Sequence, residues 1–72
     1  MTASELIKTV RKQLGVSQDE LSHAIFVTST TVSRWENGKA TPTRIARQML
    51  ADYCEKNGID KELVDAIRND RW

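Results

Sequence analysis

Residues 17–39 read SQDELSHAIFVTSTTVSRWENGK, and the punctuation of this stretch decides the fold. Ser17 and Glu20 stand three apart, the spacing at which a hydroxyl and a carboxylate satisfy each other's orphan amides at a helix start. Leu21, Ala24 and Ile25 then recur with the period of one helix face. Thr28 offers a second cap, Val32 and Trp35 return four and seven residues later, and Asn37-Gly38 stops the run. Two short helices joined by a tight turn are expected. Leu21, Ile25, Val32 and Trp35 are then the residues that crossed helices bury against each other and against a preceding helix. The outer side of the second helix is left with Ser29, Thr30, Ser33, Arg34 and Asn37. An ordinary solvent face is filled with Glu and Lys; this one is short, polar and carries a single guanidinium.

The flanks keep the helical period. Thr2 and Glu5 form another capping box, and Leu6, Ile7, Val10 and Leu14 give the apolar stripe of a first helix, which Gly15 ends. After the loop Lys39-Ala40-Thr41-Pro42, Thr41 with Pro42 at the first helical position starts a fourth helix. Its apolar face is read as Ile45, Ala46, Met49, Leu50 and Tyr53, and Asn57-Gly58 closes it. Asp60 caps a last helix that carries Leu63, Val64 and Ile67 and ends in Trp72. Strand alternation is absent. The expected fold is all-α, five short helices in a single domain over residues 1–72.

Composition narrows the function classes. At 72 residues and 39% hydrophobic the chain holds one small core. No apolar stretch approaches the roughly 18–20 residues of a membrane span, and Met1-Thr2-Ala3-Ser4-Glu5 lacks the layout of a signal peptide, so a cytoplasmic protein is expected. One cysteine, Cys54, and one histidine, His23, cannot build a zinc site of three or four ligands. No phosphate-cradling glycine loop, metal-ligand spacing or nucleophile elbow is present, so neither a cofactor nor an enzyme is expected. Trp35, Met49 and Tyr53 read as packing residues, His23 as a surface residue and Cys54 as a half-buried filler. The net charge is only +1, but it is unevenly spread. Residues 1–48 hold seven Lys/Arg against four acids, and residues 49–72 hold four against six. A basic front and an acidic back fit a surface turned toward an anion.

Helix, tight turn and second helix follow the helix-turn-helix plan. The residues Arg11…Leu14-Gly15-Val16-Ser17-Gln18-Asp19-Glu20-Leu21, followed by Thr31-Val32-Ser33-Arg34-Trp35-Glu36-Asn37-Gly38-Lys39, make the chain resemble the lambda-repressor/Cro-like, or XRE, helix-turn-helix family over residues 4–55. The resemblance implies double-stranded DNA as the partner, with the recognition helix, residues 28–37, in the major groove and the helix before it across the backbone. Ser29, Thr30, Ser33 and Arg34 match positions facing bases and nearby phosphates, and Thr28, the cap of this helix, is expected among the DNA-binding residues with them. Gln18 matches a phosphate contact that supports them, and Asn37, Lys39 and Arg44 match backbone contacts. Arg11 and Glu36 match a structural, buried ion pair.

Two departures stand out. Phe26 occupies a turn position that usually holds Gly: either it adopts a left-handed conformation at a cost of roughly 1–2 kcal/mol, or the turn is remodelled. Thr41-Pro42 also replaces a more basic loop. Residues 58–72 either cover the remaining core or contact a second copy or another protein, and the last two helices are the candidates for a homodimer contact. The expected function is a dimeric transcription regulator, a repressor. The alternative is an antitoxin-like or other protein-interaction module on the same fold.

Overall fold

The computed structural model describes residues 1–71; the expected dimer contact of Trp72 lies outside them. Five helices follow one another: α1 Ala3–Leu14, α2 Gln18–Ala24, α3 Ser29–Glu36, α4 Arg44–Lys56 and α5 Lys61–Arg68. Both capping boxes form. Thr2 Oγ1 accepts the Glu5 amide at 3.2 Å and Glu5 Oε1 accepts the Thr2 amide at 2.9 Å. The Ser17–Glu20 pair repeats this at 3.0 and 2.9 Å. Gly15 ends α1 at φ 70°, where its amide reaches the Arg11 carbonyl at 3.0 Å.

The core is built as the spacing predicts. Leu6, Ile7 and Val10 from α1, Leu21 and Ile25 at α2, and Val32 and Trp35 from α3 are all buried, with Leu50, Val64 and Ile67 closing the far side. The α2–α3 turn takes the left-handed route: Phe26 has φ 61°, and the Val27 amide reaches back to the Ser22 carbonyl at 2.9 Å.

Four local expectations are corrected. The cap of α4 is Thr43, not Thr41: its hydroxyl accepts the Ala46 amide at 3.2 Å and the helix begins at Arg44. Pro42 therefore precedes the helix and is buried. That register satisfies the orphan amide with a hydroxyl and packs the pyrrolidine ring, whereas starting the helix at Pro42 would have placed Thr43 beyond its capping position. Thr43→Ala is accordingly expected to cost about 1 kcal/mol in chemical denaturation and Thr41→Ala close to nothing.

The inward stripe of α4 is Ala46, Leu50, Ala51 and Cys54, which leaves Ile45 74% exposed and Met49 and Tyr53 half-buried. Cys54 is fully buried rather than half-buried, and desolvation pushes its thiol up to about 11, so it stays protonated and unreactive. Asp60 stands at the start of α5, but its carboxylate makes no capping hydrogen bond.

The end of α5 is fastened to α4 through its last residue, Arg68. Arg68 donates to Gln48 Oε1 at 3.0 Å and pairs with Asp52 at 2.9 Å and Glu55 at 3.2 Å, while Gln48 donates to the Arg68 carbonyl at 3.1 Å. Val64 and Ile67 are spent on the core, so α5 exposes no large apolar side chain among the described residues.

Candidate nucleic-acid interface

α3 is amphipathic in the sense its sequence requires. Val32, Trp35 and Glu36 are buried, whereas Ser29, Thr30 and Arg34 are exposed and Ser33 is half-buried. The helix starts at Thr28, whose hydroxyl accepts the Thr31 amide at 3.1 Å and shares a hydrogen bond with the Thr31 hydroxyl at 2.8 Å. Near the other end, Asn37 Nδ2 donates to Ser33 Oγ at 3.2 Å, which orients both side chains. The chain leaves α3 through Gly38 at φ 71°, with the Lys39 amide on the Arg34 carbonyl at 2.9 Å. Lys39 and, at the first position of α4, Arg44 are exposed.

The orientation of α3 is held by a buried carboxylate. Glu36, with a side chain only 4% exposed, is the last residue of α3. Arg11 of α1 grips it with two bonds, Nε to Oε2 at 2.6 Å and Nη2 to Oε1 at 3.0 Å, and gives Nη1 to the Val16 carbonyl at 3.2 Å. Gln18, the first residue of α2, donates Nε2 to Glu36 Oε1 at 3.2 Å. One carboxylate thus links three helices. Burial pushes the Glu36 carboxyl upward, but the hydrogen bonds from Arg11 and Gln18 and the Arg11 and Lys8 charges outweigh it and hold the group below the usual carboxylate range. Its partner Arg11 is held more firmly protonated by the same hydrogen bonds.

The sequence-predicted residues fall into two sets. Ser29, Thr30, Ser33 and Arg34 share the outward side of α3, with Asn37 and Lys39 just beyond its end. Gln18 is half-buried, with one amide proton committed to Glu36 and the rest of its amide unengaged among the described residues. Ser4 escaped the sequence reading: its hydroxyl donates to the Glu36 main-chain carbonyl, anchoring the end of α3 to the start of α1. A serine inside a capping sequence gives no sign of a partner 32 residues away. Among the described residues no group of His, Cys, Asp and Glu could hold a metal ion. None of the described helices is long and apolar enough to cross a membrane.

Comparison with known proteins agrees with this geometry. The helix-turn-helix family model HTH_3 matches residues 7–57, which contain α2, its turn and α3 entire. The chain is also similar to an uncharacterized HTH-type transcriptional regulator of Methanothermobacter thermautotrophicus (strain Delta H), with 36% identity in an alignment covering 69% of this chain and 80% of the relative. No solved structure matches. The chain belongs to the XRE-like helix-turn-helix family.

Proposed function

We propose that this protein is a transcription regulator that binds double-stranded DNA as a homodimer and represses by occupying its operator. The carrying observation is the sorting of α3: its large side chains are inside, and Ser29, Thr30, Ser33 and Arg34 form an outer face slim enough for the helix to enter a major groove. On this reading Gln18, Thr28, Asn37, Lys39 and Arg44 hold phosphates and set the register, while Arg34 reads a guanine edge. Repression is steric: the bound protein denies the site to polymerase.

A dimer fits the size of the molecule. Its extents are 27 × 21 × 20 Å, less than the roughly 34 Å between half-sites one helical turn apart, so one copy covers one half-site. Selection from a random duplex pool tests the proposal. An enriched site with two-fold symmetry is expected, and no enrichment above the starting pool would refute sequence-specific binding.

Lys39→Ala is expected to weaken binding on all sequences alike and to lower the slope of log affinity against log salt by about one. Titrations at several salt concentrations on the selected site and on an unrelated duplex check this. A loss confined to the selected site would move Lys39 from phosphate to base contact.

A further inference from the structure

Exposed large apolar side chains among the described residues are Met1, Phe26 and Ile45. Ile45, Met49 and Tyr53 recur every four residues along α4, on the stripe beside the buried one. The Phe26 ring joins Met49, Asp52, Tyr53 and Lys56 around a shallow groove between the α2–α3 turn and α4.

Phe26 is unfavourable at this position in two ways. Its φ of 61° presses Cβ toward the following carbonyl, a strain every L side chain bears there. The residue is 81% exposed, leaving aromatic surface in water. Glycine would make the same turn without either cost, because the bond that closes it, Val27 amide to Ser22 carbonyl, is entirely main chain. Little inside the chain compensates for the ring. A surface that covers it would.

Charge identifies the cover. Asp52 and Lys56 lie one helical turn apart, so the groove lining carries one charge of each sign, set along α4. Lys56 makes no ion pair among the described residues, and Asp52, though paired with Arg68, keeps 59% of its side chain exposed. A uniformly charged partner would meet one matched and one opposed charge. A second copy, turned so that the two α4 helices run antiparallel about an axis level with the midpoint between Asp52 and Lys56, sets each Lys56 against the other copy's Asp52. Such self-complementarity is the mark of a two-fold interface.

We propose that this face is the homodimer contact: two copies pack α4 against α4 and cover each other's Phe26 ring. The inference deepens the dimeric reading above by naming its surface, in place of residues 58–72, whose Val64 and Ile67 are already buried. It is tested without DNA, so its failure is separate from a failure of DNA binding. In sedimentation equilibrium the full chain is expected to pair as concentration rises, and Phe26→Gly to weaken pairing by at least about tenfold. Melted at a dilution where both are monomeric, Phe26→Gly should unfold no earlier than the native chain. Asp52→Lys and Lys56→Glu should each weaken self-association, and a mixture of the two should pair more tightly than either alone. A native chain that stays monomeric at the highest accessible concentration would overturn the proposal. So would unimpaired pairing or early melting of Phe26→Gly, or a mixture no tighter than its components.

Discussion

Glu36→Ala is expected to destabilise the fold by about 3–5 kcal/mol, a large share of what a domain of this length possesses. The cause is not the energy of the lost ion pair. It is the Arg11 guanidinium, left largely buried against Val16 with no counter-charge and with two donors unfilled. Gln18 loses its acceptor in the same step. Urea titration of the purified variant measures the effect, and a change under about 1 kcal/mol would mean that water reaches Arg11 freely. Replacing both partners, Arg11→Met with Glu36→Leu, should recover most of the stability, because the desolvation of both charges disappears together. The double variant would still lack the anchor on Gln18, so fold and DNA affinity are expected to separate in it: a normal melt with weakened binding.

The same carboxylate gives a pH dependence of known sign. Because the Glu36 carboxyl is held below its ordinary value in the folded chain, its contribution is fully present above the unfolded value of about 4.3. It is lost as pH falls through the lower folded value. Glu5 and Glu20, held down by their capping hydrogen bonds to Thr2 and Ser17, contribute in the same direction. Glu36→Gln should therefore flatten part of the acid limb of stability against pH and leave in place the part carried by the two capping boxes. An unchanged acid limb would show that Glu36 titrates alike in the folded and unfolded chains.

Arg34→Ala is expected to cost about 1–3 kcal/mol of binding on the selected operator and to erase the preference at one base pair, with folding stability unchanged within about 0.5 kcal/mol. Arg34 is exposed in the last turn of α3 and makes no ion pair among the described residues, so removing it leaves no buried group stranded. Arg34→Lys should recover nonspecific affinity but not the base preference, since an ammonium cannot span two acceptors in a plane. Affinities for the operator and its single-base variants decide the matter. Full discrimination retained by the alanine variant would place sequence reading elsewhere on α3.

The sequence made most of the fold legible because its signals are local. The capping boxes at Thr2 and Ser17, the cap at Thr28 and the glycines after α1, α3 and α4 act within four residues of themselves. The division of α3 into Val32 and Trp35 inside and Ser29, Thr30 and Arg34 outside follows from helical period alone. Where two local solutions compete, sequence was not enough. Thr41 and Thr43 flank the same proline, and the burial of the Pro42 ring chose between them. On α4 two stripes of similar hydropathy run side by side. α4 packs on α5, and in the folded chain Leu50 and Cys54 lie inside while Ile45 stays in solvent.

The order of helices, their ends and the polar side of α3 were thus written into the chain itself, since each depends on residues within a turn or two of one another. Only the tertiary structure decided that the Glu36 carboxylate, gripped by Arg11, would also hold Gln18. It likewise decided that Ser4 would anchor the end of α3, and that Phe26, Met49 and Tyr53 would share one surface. These meetings join residues far apart in sequence, and their partners are set by how the helices cross. A crossing is fixed by the packing of the whole core and not by any segment taken alone.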